Sequence, residues 1–263
     1  GIASRPKTFL AQSYLLYRAL SPSAICATLL KWAQKGLIVF VEKEGGKVEV
    51  GQQKENPSLP LLEKRLWNLI FKSRLKIRQE KLAEEAEQQL VLSELVHLKE
   101  LAIEWLSRKR FISVLQTRFF DFKSLLLLFA LLSLICFSIS AWYLNSSALV
   151  LPPLLLTLLI LLGGERIPRL LFLTAKGKGA RRALQEEERK IEKLLWQDPY
   201  RFLPQAIFYG KEKDCLEAIK KHPPQRVDFV ISLDPLELPE RKIKKALKSA
   251  KEIAEKLILW SKL

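Results

Sequence analysis

The residues best suited to nucleophilic or metal chemistry in this chain are few and scattered: His97 and His222, with Cys26, Cys136 and Cys215. No CxxC pair and no His/Cys cluster occurs. Structural zinc needs four N or S ligands at short spacings, and an activated Ser or Cys needs a base within hydrogen-bond reach. Two distant histidines supply neither pattern, so no catalytic residue, metal or cofactor is expected and the chain is read as non-enzymatic. Glu84-Glu85 and Glu186-Glu187-Glu188 read as solvated helix faces rather than acid/base pairs. Thr174-Ala175-Lys176-Gly177-Lys178-Gly179 resembles a glycine turn that could cradle a phosphate, but it lacks Walker spacing and reads better as a basic turn.

Nucleic-acid binding is the next chemistry to weigh, because the formal net charge is +16. Ser21-Pro22 opens a helix with a hydroxyl cap and a first-turn proline, and Gly36 closes it. Phe9 to Leu20 precedes it as another helix. A strand at 37–41, a turn at Glu44-Gly45-Gly46 and a return strand at 47–50 follow, and then a helix at 59–71. Helix, turn, helix and β-hairpin is the order of a winged-helix module. Its recognition helix would present Ser23, Thr28, Lys31, Gln34 and Lys35, and its wing Lys43 and Lys47. Arg and Asn, the usual readers of guanine and adenine, are missing from that helix, and Glu42, Glu44 and Glu49 crowd the wing. Lys31, Lys35, Lys43 and Lys47 are therefore the nucleic-acid candidates of a disfavoured reading.

The elements that would carry these groups are organised around one unusual stretch. From Ser124 to Gly164, 41 consecutive residues include no Asp, Glu, Lys or Arg, in a chain that is 27% charged. Twenty helical residues span about 30 Å, the thickness of a bilayer's hydrocarbon core. Asn145-Ser146-Ser147 splits the stretch, so it predicts a transmembrane helical hairpin over 125–144 and 148–164. Basic residues stand on both sides: Arg108, Lys109, Arg110, Arg118 and Lys123 before it, and Arg166, Arg169, Lys176, Lys178, Arg181 and Arg182 after it. By the positive-inside rule they flank the membrane and both ends of the chain are cytoplasmic. The two flanks carry +8 each, as expected beside anionic lipid.

The remaining chain reads as helical. Residues 72–110 are charged and helical with an apolar stripe that includes Leu95, Leu98 and Ala102, and their end leaves room for a second, degenerate winged-helix-like unit. Past the hairpin come a helix at 180–196, an apolar segment at 202–209 and a short helix at 215–220. A loop-rich linker around Val227–Leu233 then leads to a basic amphipathic helix at 240–263, with Ile243, Leu247, Ala250, Ala254 and Leu257 in a heptad seam. Capping of the cytoplasmic domain is the preferred role of that helix, with anionic lipid contact next and coiled-coil pairing third. The chain begins at Gly1 and lacks Met, and so is read as a piece of a longer protein.

The order of these features resembles the C-terminal region of the YciQ-like family of bacterial membrane proteins. Tyr14-Leu15-Leu16 and Ala27-Thr28-Leu29-Leu30 lead into Lys35-Gly36-Leu37-Ile38, similar to that family's first helices and turn. Leu62-Glu63, Leu69-Ile70-Phe71, Leu92-Ser93-Glu94-Leu95, Thr174 with Gly177, and Leu203-Pro204-Gln205-Ala206-Ile207 with Gly210 continue the likeness, with Gln205 where the family usually has Tyr. The resemblance covers about Tyr14 to Ile219. It implies a missing N-terminal part with a signal peptide, an extracytoplasmic β-rich domain and an earlier transmembrane helix, and no known activity.

The expected fold is a mainly α membrane protein. It has a winged-helix-like domain at 1–72, a helical segment at 73–123, the hairpin at 124–164, a helical domain at 165–222, and a linker with its basic helix at 223–263. The expected function is a scaffold or signal-coupling component of the bacterial inner membrane, with the lipid bilayer and a protein partner or second copy as its contacts. A membrane-tethered nucleic-acid-binding regulator is the alternative.

Overall fold

The computed structural model describes residues 5–55, 57–72, 83–114, 131–139, 142 and 171–260. Contacts divide the chain into two compact units, Gly1–Ile112 with Leu173–Leu263, and Ser113–Phe172. The first unit is therefore built from both ends of the chain, and the boundaries expected at 72, 222 and 223 fall inside it.

Helix α1 (Phe9–Tyr17) starts on Thr8, whose hydroxyl accepts from the Ala11 N–H. Helix α2 (Pro22–Gln34) starts on Ser21, which caps Ala24 N–H in the same way, with Pro22 in the first turn as expected. Strands β1 (Ile38–Glu42) and β2 (Val48–Gln52) pair antiparallel, Phe40 opposite Val50. Gly45 and Gly46 both take positive φ in the turn between them. Helix α3 (Leu61–Trp67) runs into a π-helical turn, Asn68–Lys72. Helix α4 (Ala83–Arg108) is one long element that packs on α3. It is followed by strand β3 (Ile112–Val114), and residues 73–82 and 115–123 of the segment expected to leave room for a second winged-helix-like unit lie outside the described residues.

Strand β4 (Leu171–Leu173) pairs with β3. Helix α5 (Ala175–Leu195), α6 (Leu203–Phe208), α7 (Glu212–Lys221), strand β5 (Val230–Ile231) and α8 (Pro239–Trp260) complete the first unit. The segment expected as linker contributes β5, which pairs parallel with β1, Phe40 opposite Val230. The sheet order is β2-β1-β5.

Helix α2 is the centre of the core. α8 packs on one side of it, α6 on another and α1 on a third. Ala24, Ile25, Ala27, Thr28, Leu29, Leu30 and Trp32 are fully buried. Trp32 meets Trp67 edge-on at 5.2 Å, and Trp67 meets Phe71 at 4.5 Å, which locks α3 and its π turn onto α2. Every residue of the expected heptad seam in α8 is buried, but against α2 rather than a second coil.

Two expectations are corrected here. Among the described residues no helix is long and apolar enough to cross a membrane. Within 124–164 the described residues are the helical 131–139 and Trp142. The expectation rests on apolarity, and a span also requires about twenty helical residues. The transmembrane hairpin, the multi-pass placement in the cell membrane and the cytoplasmic ends inferred from it therefore do not stand, and the rest of 124–164 lies outside the described residues. The winged-helix fold class falls as well. The helix–helix–hairpin order is present, but α2 is a buried core helix and the sheet gains a parallel third strand from the C-terminal part of the chain.

Candidate functional site

The chain passes from the first unit into Ser113–Phe172 and back at one clasp. Helix α4 ends with Arg110 in the left-handed conformation, at φ 59°. This turns Phe111 inward, where it is buried beside Trp105 at a ring distance of 6.3 Å. The returning chain docks on that turn. Thr174 N–H donates to the Phe111 carbonyl at 3.2 Å, and the Thr174 hydroxyl donates to the Arg110 carbonyl at 2.5 Å. The same hydroxyl accepts from Gly177 N–H at 3.1 Å, capping α5. Lys176 donates its ammonium to the Lys109 carbonyl at 3.0 Å and lies 4.5 Å from the centre of the Phe111 ring. Gly177 presses on the same peptide. The stretch read as a basic turn or phosphate cradle is thus the cap and first turn of a helix, with its glycine spent on close packing.

The clasp gathers the cations. Arg108, Lys109, Arg110, Lys176 and Lys178, expected as flanking residues, all belong to it, whereas Arg118, Lys123, Arg166 and Arg169 lie outside the described residues. Arg181 and Arg182, counted with the same basic flank, follow one turn later on α5. Arg108 is tied to Glu104 at 2.6 Å.

The nucleic-acid candidates do not form a surface. Lys31 is bonded to Glu63 at 2.8 Å, inside the α2–α3 contact. Thr28 is fully buried and its hydroxyl donates to the Ala24 carbonyl, while Gln34 donates to the Tyr200 carbonyl. Lys35, Lys43 and Lys47 are exposed, and Lys47 lies 3.6 Å from Glu49. Of the residues assigned to the reading face, Thr28, Lys31 and Gln34 are therefore engaged within the fold.

Sequence reasoning missed two polar clusters. Glu63, buried in α3, accepts from Lys31 and from the Trp32 indole. Its only signal was an acidic residue beside Leu62 in an inward run. The second cluster joins the hairpin to α8. Glu42 accepts from Lys245 at 2.7 Å, from Ser232 at 2.9 Å and from Leu233 N–H at 3.1 Å, and Lys245 also bonds Glu237 at 2.7 Å. The bond from Lys245, then those from Leu233 N–H and Ser232, hold the Glu42 carboxyl below the usual carboxylate range. Glu237 and Glu42 raise the Lys245 pKa in turn. This cluster fastens the hairpin to α8 and to the loop before it.

Burial pushes the Cys26 and Cys215 thiols up to about 12, which keeps them protonated and inert. Among the described residues, no group of three or more His, Cys, Asp or Glu could hold a metal ion.

Compared with family models, with curated proteins and with solved structures, the chain finds no match. The YciQ-like and winged-helix labels thus have no family support, and the burial of α2 removes the structural ground for the second.

Proposed function

We propose that this chain is a non-enzymatic scaffold or coupling protein, in which the helical unit holds both ends of the Ser113–Phe172 unit at one rigid clasp. The observation that supports this is the double bond of Thr174 to the Arg110–Phe111 turn. A displacement of either connecting strand is delivered to α4 and α5 together, and these helices pack through α3 and α1 into the core. The partner in this reading is a protein that engages both units. The nucleic-acid alternative loses its footing because α2 is enclosed.

Affinity capture with the full chain, set beside a chain in which 113–172 is replaced by a short Gly-Ser linker, tests the proposal. Phe111 and Thr174 are hydrogen-bonded neighbours, so such a linker spans the gap. A protein partner retained by the full chain and lost by the folded shortened chain is expected. Retention of the partner by both, or recovery of nucleic acid alone, overturns the reading.

A further inference from the structure

The loop between β5 and α8 keeps its large apolar side chains in water. Ile231, Leu233, Leu236 and Leu238 are 54%, 60%, 90% and 61% exposed, all within one short stretch of chain. Elsewhere in the first unit the exposed large apolar side chains among the described residues are Tyr17, Leu61, Val96 and Trp196, each on a separate element and none above 53%. Scattered apolar residues are ordinary on a surface, whereas a cluster marks a contact. The loop is also held in place. Ser232 donates to Glu42 at 2.9 Å, and Leu233 N–H donates to the same carboxylate at 3.1 Å. Asp234 folds the turn that follows: its carboxylate accepts from Leu236 N–H at 2.9 Å, and its carbonyl from Glu237 N–H at 3.2 Å. Lys245 ties Glu237 to α8. The leucines are thus presented in one conformation, which spares a partner the entropy of ordering them.

The charge around these leucines is opposite to that of the chain. Residues 227–240 include Asp228, Asp234, Glu237 and Glu240 and no Lys, Arg or His, in a chain of net charge +16. Glu237 and Glu240 are paired with Lys245 and Lys244 of α8, and Asp228 with Arg226. Asp234 stands exposed beside Leu233, and among the described residues no cation lies within ion-pair distance of it. We infer that the 231–238 loop docks a cationic amphipathic segment of a partner protein, with apolar side chains over Leu233, Leu236 and Leu238 and a Lys or Arg against Asp234. Charge complementarity selects this occupant. Lipid headgroups and nucleic acid would bring phosphate to a carboxylate, and a second copy meeting loop to loop about a twofold axis would bring Asp234 to Asp234. The surface lies wholly in the first unit, so it goes beyond the clasp and holds whether or not the clasp couples the two units.

The test is fluorescence anisotropy of two labelled peptides titrated with the full chain at physiological salt. One peptide is an amphipathic helix of Leu and Lys, and the other has Glu at every Lys position. The Debye length there is about 8 Å, so the charge beside the loop outweighs the +16 of the whole chain. Tighter binding of the Leu/Lys peptide, by about tenfold or more, is expected. Leu236→Ser/Leu238→Ser is expected to weaken it by roughly tenfold for each leucine. Asp234→Asn keeps the acceptor for Leu236 N–H and is expected to narrow the preference between the peptides. Leu61→Ser/Val96→Ser removes exposed apolar surface from α3 and α4 instead and should bind as the wild type does. Absent binding of the Leu/Lys peptide by the wild type, or binding no tighter than that of the Leu/Glu peptide, overturns the inference without reference to any variant. So does an equal loss in the two double variants, or an unchanged preference in Asp234→Asn. A dimer in sedimentation that Leu236→Ser/Leu238→Ser dissolves also overturns it, by assigning the loop to a second copy.

Discussion

Glu63 Oε2 accepts a hydrogen bond of 2.9 Å from the indole N–H of Trp32, with the carboxylate and the ring both shut away from solvent. The other oxygen takes the Lys31 ammonium at 2.8 Å. One acidic side chain therefore fixes α3 against the central helix and completes the hydrogen bonding of the largest side chain in the core. Glu63→Ala is expected to cost about 2–4 kcal/mol, because it orphans a buried N–H and strips Lys31 of its partner. Lys31 keeps 24% of its side chain in solvent, which holds the loss below that of a sealed pair. Glu63→Gln retains an acceptor for Trp32 and should cost about 1 kcal/mol. Urea unfolding midpoints of the two variants check the order.

Gly177 is fixed by contact. A Cβ there would lie 1.9 Å from the Phe111 carbonyl oxygen and 2.9 Å from its carbon, and neither backbone atom can swing aside. Gly177→Ala would gain about 1 kcal/mol from helix propensity alone. The clash outweighs this, and a net loss of about 1–3 kcal/mol with loosening of the clasp is expected. Thermal unfolding measures the first, and faster amide exchange at Gly177 and Thr174 the second.

Acid should weaken the fastening between hairpin and α8. The folded-state pKa of Glu42 lies below its unfolded value, chiefly through the bond from Lys245. Its contribution is therefore complete above the ordinary glutamate pKa, about 4.3, and is lost as pH falls through the lower folded value. Glu240, lowered by its bond with Lys244, acts in the same window. Lys245 behaves oppositely: its pKa is raised, so its share is lost only as pH climbs above about 10.4. Melting curves from pH 7 to pH 3 should show a steeper fall for wild type than for Glu42→Gln.

Thiol reactivity should separate the three cysteines. Cys26 and Cys215 are buried with pKa raised to about 12, and Cys136 is exposed. A thiol-reactive chromophore at pH 8 is expected to label one site per chain in the native state and all three in denaturant. Rapid labelling of Cys26 or Cys215 in the native state would contradict the packing of α2 and α7.

Local signals in the sequence translated well into local structure. Ser21-Pro22, Gly36, the Gly45-Gly46 turn and the seam from Ile243 to Leu257 all lie where capping, turn chemistry and periodicity put them. What failed was non-local. Periodicity gives the apolar stripe of a helix but not what covers its other side, so Thr28 and Lys31 read as outward although α8 and α6 close over α2. Val230 and Ile231 are too short a run to announce a strand, and their partner Phe40 lies 190 residues earlier. The clasp was half legible. Its cations and Thr174 were in view, but the two glycines of Lys176–Gly179 suggested a loop where one of them serves close helix packing.

The partnership of α2 with α8 and β5 has a consequence for biosynthesis. Helices α1 and α2 find much of their cover in segments far downstream in the chain. Leu10, Leu29 and Trp32, sealed in the finished molecule, must wait as exposed grease while some two hundred residues are added. Folding of this unit therefore waits for α8, and a nascent chain stalled before Pro239 is a natural client for chaperones and proteases.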